Sequence, residues 1–300
     1  MCGIVGLHLR DPGLHPQLGR LLETMLCGVV ERGPDSAGVA VYGDRRRCPE
    51  GHAAVSVLHA PAAPPDLANL LRARLPGSPE VLVTAAGDTT VVAAPAAPEE
   101  LAAAVRAAAP DALVVGVGTD LTVYKGTGHP RDLAGTYGLV EASGWQALAH
   151  TRMATESAIT SAGCHPFSVG VDQCLVHNGS FANHATIRRE LQAEGVVFDS
   201  ENDSEVGARF VAARLAQGED LEKALRALCE RFDGFYTLLV TSADGFAVVR
   251  DAIACKPAII AETDAWVAMA SEFRALAGLP GIESARIYEP QPERVYAWQR

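Results

Sequence analysis

Residues 3 to 9, Gly-Ile-Val-Gly-Leu-His-Leu, form an apolar run that begins almost at the first residue and is cut at Arg10-Asp11. A run this short and this continuous reads as a strand buried inside a sheet, so the chain enters its core at once and leaves Cys2 at the strand's mouth. No basic segment precedes the run, and charge interrupts it too early for a signal-peptide core. The Ala/Val-rich stretch from 81 to 118 is broken by Asp88, Glu99, Arg106 and Pro110, and nothing approaches the roughly 20 apolar residues of a membrane helix. Lys and Arg number 25 against 36 Asp and Glu, a net charge of −11, and the one basic run is Arg45 to Arg47. Such a field repels phosphate backbones, which argues against a nucleic-acid partner. Seven cysteines, an odd number without a CxxC pair, suit a reducing compartment. The expectation is a soluble cytoplasmic protein, for which the sequons at Asn178 and Asn202 need another explanation.

Three hundred residues accommodate two domains or one large domain with an insertion. Leu18, Leu21, Leu22, Met25, Leu26, Val29 and Val30 recur at helical spacing until Gly33-Pro34, and Ser36 to Tyr42 reads as a second strand. Amphipathic helices are predicted over 184–194, 203–217 and 219–232, with Asp203 as N-cap of the second. Strands at 236–242, 245–251, 257–263 and 265–271 read as an antiparallel meander. The stretch 44–144 has another texture, rich in Ala and Pro, and reads as an insert: strand 53–59, helix 65–75, strands 80–86 and 89–94, helix 98–108, strand 112–124. That βαββαβ order is the split βαβ of ferredoxin-like units. The catalytic shell would then be discontinuous, residues 2–43 and 145–300.

Removal of Met1 is expected before so small a residue as Cys2, giving one residue both a thiol and a free α-amine. An α-amine titrates near neutral pH and can act as base for the adjacent thiol, so one residue supplies nucleophile and base. The six other cysteines read as small core residues. Cys164, His165, Cys174 and His177 lack the spacing of a compact metal site, and no metal is expected.

Six motifs then occur in order: Met1-Cys2-Gly3-Ile4-Val5-Gly6, Arg32-Gly33-Pro34-Asp35, His150-Thr151-Arg152-Met153-Ala154-Thr155, His165-Pro166, His177-Asn178-Gly179 and Asp203-Ser204-Glu205. In this the chain resembles the class II glutamine amidotransferases, N-terminal-nucleophile hydrolases, over residues 2–43 and 145 to about 272. The resemblance implies an α+β fold, a four-layer αββα sandwich, with the 44–144 insert outside it. It implies glutamine as substrate and a Cys2 thioester, with the Asn178 side-chain amide and the Gly179 backbone N–H as donors to the oxyanion. Arg152 offers a fork for the substrate carboxylate and Asp203 a counter-charge for its ammonium. Thr155 and His165 are implied as further substrate contacts and Arg32 as a neighbour of the nucleophile; His150 and His177 read as structural. Met153 stands where relatives often carry an aromatic. Arg250-Asp251, Lys256-Pro257 and Ser271-Glu272 echo the family at strand ends.

Such domains usually pass ammonia to a synthase module, and none is recognisable in these 300 residues. The motif run and the insert resemble most the stand-alone amidotransferase subunit of N-methylglutamate synthase. That likeness implies a separate glutamate-synthase-like partner carrying flavin and iron-sulfur groups, with no cofactor on this chain. Two alternatives stay open: an assembly subunit with a vestigial site, and an amidase for another γ-glutamyl amide.

Overall fold

The computed structural model describes residues 2–153 and 159–300. In chain order its elements are β1 (Gly3–Leu9), α1 (Leu18–Cys27), β2 (Ser36–Tyr42), β3 (Ala53–Leu58), α2 (Pro64–Arg72), β4 (Leu82–Ala86), β5 (Thr89–Ala94) and α3 (Pro98–Ala108). They continue with β6 (Leu113–Gly118), β7 (Leu121–Thr127), α4 (Pro130–Tyr137), β8 (Gln146–Arg152), β9 (Cys174–Phe181), α5 (His184–Ala193), α6 (Asp203–Ala216) and α7 (Leu221–Arg231). The remainder are β10 (Gly234–Thr241), β11 (Gly245–Arg250), β12 (Ile259–Glu262), β13 (Trp266–Ala270), β14 (Arg286–Tyr288) and β15 (Tyr296–Gln299).

A seven-stranded antiparallel sheet, β14-β12-β13-β1-β8-β2-β7, faces a four-stranded one, β15-β11-β10-β9. All seven residues of β1 are buried, because the strand lies mid-sheet with both faces covered. Val5, Leu7 and Leu9 pack under α1 with Leu18, Leu22, Met25 and Leu26. Ile4 points the other way, into the layer between the sheets with Leu148, Val176, Leu239 and Phe246. Helices α5 to α7 cover the outer face of the four-stranded sheet through Ile187, Leu191, Val206, Leu225 and Leu228. The result is the four-layer αββα sandwich, an α+β fold with antiparallel sheets throughout.

A third sheet, β4-β5-β3-β6, is covered on one face by α2 and α3. Its strands follow each other as βαββαβ, and the spatial order is the split βαβ arrangement. It docks along β7, the outer strand of the large sheet. An outer strand presents unpaired backbone groups, which must be covered. Here Val123 N donates to Ser56 Oγ at 3.0 Å, Lys125 N donates to Thr89 Oγ1 at 2.9 Å, and Thr89 Oγ1 donates back to Lys125 O at 3.1 Å. Asp172 clamps the turn between β6 and β7, accepting from the backbone N–H groups of Thr119, Asp120 and Leu121 and from Thr119 Oγ1.

Several expectations change. The strand expected over 112–124 is two strands: β6 closes the third sheet and β7 belongs to the large one. Residues 121–142, placed in the insert on texture, join the large sheet and its cover: Leu121 and Val123 face the layer between the sheets, Tyr124, Ala134, Tyr137 and Leu139 pack with α1, and Tyr137 stacks on Tyr124 at 5.2 Å. The third sheet itself draws only on residues 53–118. The expected meander is also divided: β10 pairs with β11 in one sheet, β12 with β13 in the other, and the chain crosses between sheets at 251–258. The N-cap of α6 is Asn202, whose side chain accepts from Ser204 N at 2.9 Å, which frees the Asp203 carboxylate for another contact. Cys48, Cys164 and Cys174 are buried as small core residues, Cys27 and Cys229 are half-buried, and Cys255 is exposed. No helix among the described residues is long and apolar enough to cross a membrane.

Thr89 is fully buried, so Thr89→Val leaves the Lys125 N–H and C=O without their partner. A loss of about 2 kcal/mol in urea denaturation is expected, and a change under about 0.5 kcal/mol would contradict the account of the junction.

Candidate active site

The site forms where the start of β1 meets the end of β8 and the middle of β9. Gly3 pairs with Thr151, so one further step in register sets Cys2 across from Arg152. Cys2 is half-buried, and its backbone carbonyl accepts from Arg32 Nε at 2.9 Å and from Asn178 Nδ2 at 3.2 Å. Arg32 lies in the large sheet's connections and Asn178 in the small sheet, so the nucleophile's position is fixed by both halves of the sandwich. Ser271 holds the strand two residues on, accepting from Ile4 N through Oγ and donating its own N–H to Ile4 O, both at 2.9 Å. Arg32 is held in turn by Glu272 at 3.1 Å, and Glu272 also pairs with Arg274 at 2.8 Å. Ser271-Glu272, read from sequence only as a strand end, therefore builds the nucleophile's seat.

Asn178 is 4% exposed and Gly179 follows it with φ +149°. Glycine is required there twice over: the dihedral disfavours a side chain, and a Cβ would stand 2.0 Å from Phe235 O. The Asn178 amide lies beside Cys2 and the Gly179 N–H is the next backbone donor along β9. Together they are the kind of preorganised donors that receive charge developing on a carbonyl oxygen.

Arg152 ends β8, half-buried, and its carbonyl accepts from Asp35 N at 3.2 Å, which packs the Arg32–Asp35 turn on it. The Asp203 carboxylate accepts from Phe181 N at 2.8 Å, two residues beyond Gly179. Its second oxygen accepts from Ser204 Oγ at 3.3 Å. Ser204, named in the Asp203-Ser204-Glu205 motif, has no role assigned to it from sequence. Its hydroxyl also meets His165 Nε2 at 3.0 Å and His177 Nδ1 at 2.8 Å. A hydroxyl has one proton and a carboxylate only accepts, so the arrangement satisfying all three contacts has Ser204 donating to Asp203 and both rings donating to Ser204. His165 thus bears on the site through Ser204 and Asp203. Thr155 lies outside the described residues, and Met153 is exposed.

His150, His165 and His177 are almost fully buried, and the His150 and His165 rings lie 4.2 Å apart. Burial pushes all three imidazoles down, His150 to about 3 and His177 to about 4, with His165 well below its ordinary value. Neighbouring rings add to the effect on His150 and His165, while Asp203 partly opposes it at His177. All three are therefore held in the neutral form at physiological pH.

Two outcomes follow. Gly179→Ala should cut glutamine hydrolysis by at least about 100-fold, the scale of a lost oxyanion donor, and near-parental activity would exclude the β9 donors. The three histidines are neutral when folded but take up protons below about pH 6.5 when unfolded. The unfolded state then binds more protons, so stability falls as pH drops from about 6.5 toward the folded values, by up to about 1.4 kcal/mol per unit for each ring. Urea denaturation between about pH 7 and pH 5 measures this, and an unchanged midpoint would contradict it.

A family profile described as "Glutamine amidotransferase domain" matches residues 134–291. The "Glutamine amidotransferase-like protein GlxB" of Rhizobium meliloti is 48% identical over 99% of this chain and 98% of its own length. A "Putative glutamine amidotransferase" of Methanothermobacter thermautotrophicus is 28% identical over 99% of both chains. In architecture the chain is similar to glutamine phosphoribosylpyrophosphate amidotransferase from B. subtilis, with a TM-score of 0.61 at 16% identity. It is covered over 99% of its length there and spans 49% of that longer chain. With the αββα sandwich, the full-length relative and the matched domain in agreement, the chain belongs to the glutamine amidotransferases, in the class II, N-terminal-nucleophile fold.

Proposed function

We propose that this chain hydrolyses glutamine through a Cys2 thioester and supplies the ammonia to a separate glutamate-synthase-like partner. The observation that carries the reading is the double anchoring of the Cys2 carbonyl by Arg32 and Asn178, across from Arg152 in register, with Asp203 at the start of α6 bound to β9 at Phe181 N. A nucleophile, oxyanion donors and two opposite charges meet at one mouth. That set is complementary to an amino acid with a carboxylate, an ammonium and a side-chain amide.

With Met1 removed, the α-amine of Cys2 takes the thiol proton as sulfur attacks the amide carbon. The oxygen's charge develops toward Asn178 Nδ2 and the Gly179 N–H. The tetrahedral intermediate collapses with cleavage of the C–N bond, the amine returns the proton to the leaving nitrogen, and ammonia departs. Water, deprotonated by the same amine, then attacks the thioester carbon; the C–S bond breaks, the amine returns the proton to the Cys2 sulfur, and glutamate leaves. The Arg152 fork suits the substrate carboxylate and Asp203 its ammonium. Thiol, amine and donors suffice for these steps, so the chain needs no cofactor of its own. The flavin and iron-sulfur chemistry that would use the ammonia belongs to the partner, and N-methylglutamate synthase is the system proposed. The likeness to GlxB over 98% of that protein's own length supports an acceptor on another chain.

Cys2→Ala should lower ammonia release from glutamine by at least about 1,000-fold, and intact-mass measurement should find the native chain starting at Cys2. Glutamine binding without hydrolysis in the parent protein, or a retained Met1, would favour an assembly subunit. Copurification from the native source should bring down a partner with flavin and iron-sulfur absorbance, and its absence would overturn the partner assignment.

A further inference from the structure

We propose that the third sheet takes part in glutamine binding, with Asp88 acting as a positioning residue for Arg152 through Ser161. The inference rests on the reading of Arg152 as the carboxylate clamp. Ala86 pairs with Thr89, so Gly87-Asp88 is a two-residue hairpin tip between β4 and β5. The tip is fixed from behind by the hydrogen bonds of Thr89 to Lys125 in the large sheet. From this support the Asp88 carboxylate accepts a hydrogen bond from Ser161 Oγ. Ser161 is 6% exposed and opens a tight turn. In that turn Gly163 N donates to Thr160 O at 3.1 Å, Cys164 N donates to Ser161 O at 3.2 Å, and Cys164 Sγ donates to Thr160 O at 3.2 Å.

The turn is also a wall of the site. A Cβ on Gly163 would stand 3.1 Å from Arg152 Nη1, so the guanidinium packs directly on the α-carbon of this residue. The turn leads straight into His165, whose ring bonds Ser204 beside Asp203. One hairpin tip of the inserted sheet thus sets the position of a segment touching the carboxylate fork at one end and supporting the ammonium counter-charge at the other. The Asp172 clamp joins the third sheet to the large one at Thr119–Leu121, and none of its bonds reaches the site. The Asp88–Ser161 bond is the hydrogen bond, among those given for the described residues, that ties the inserted sheet to this segment.

Two assays test this. In steady-state hydrolysis, Asp88→Ala should raise KM for glutamine about tenfold with kcat changed less than about twofold, the pattern of lost ground-state positioning. Ser161→Ala should match it, the double variant should be no worse than either single one, and Asp88→Asn, which keeps an acceptor oxygen, should restore most of the parental KM. Calorimetric titration of glutamine into Cys2→Ala and into Cys2→Ala/Asp88→Ala separates the two readings. If Cys2→Ala binds no glutamine, the assignment of the site falls and this inference with it. If both proteins bind glutamine equally, or if Asp88→Ala lowers the melting temperature with KM unchanged, the inference alone is overturned.

Discussion

The backbone of Cys2 has to be held still although it lies at the very start of the chain, where strands ordinarily fray. Residues 3–9 accomplish the first part by lying in the middle of a seven-stranded sheet, buried on both faces. The second part is the pair of donors on the Cys2 carbonyl, Arg32 from one layer and Asn178 from the other. A site built this way depends on the two sheets staying in register face to face. Its accuracy is therefore bound to the apolar layer of Ile4, Leu148, Val176, Leu239 and Phe246 between them.

Outward from that point the polar groups are arranged in support of one another. Glu272 orients Arg32, Ser271 fixes Ile4, and Ser204 joins two neutral histidines to Asp203. Burial keeps His150, His165 and His177 uncharged, which has a cost in stability at low pH. The inserted sheet closes the outer edge of β7 with Ser56 and Thr89 and reaches the Arg152 neighbourhood through Asp88.

Much of this was legible in the residues. The unbroken apolar run marked β1 as doubly covered, the helical periodicities located α1 and α5 to α7 to within a few residues, and alternation of Pro-led helices with apolar strands revealed the third sheet's βαββαβ order. What could not be read is which sheet a strand joins. β11 and β12 have the same period-two character on either side of the crossing at 251–258, and pairing depends on long-range packing that a local pattern does not encode. β7 was hidden in the insert's texture for the same reason. At the site, residue types with distinctive chemistry stood out: Cys2, Arg152, Asn178, Gly179 and Asp203. Ser204 and Glu272 did not, because a hydroxyl or carboxylate gains its role from three-dimensional neighbours. Asn202 outcompeted Asp203 as helix cap, since either suits that position and only the Phe181 N–H, distant in sequence, needed Asp203. Thr155 lies outside the described residues.

The central claim is that Cys2 is a nucleophile seated to attack the amide of glutamine, and a reactive glutamine analogue with an electrophilic carbon in place of the amide tests it most directly. Peptide mass mapping after brief exposure should find one adduct, on the thiol of the peptide beginning at Cys2, with glutamine protecting it. Labelling of the exposed Cys255 in its place, or no adduct protected by glutamine, would contradict the account.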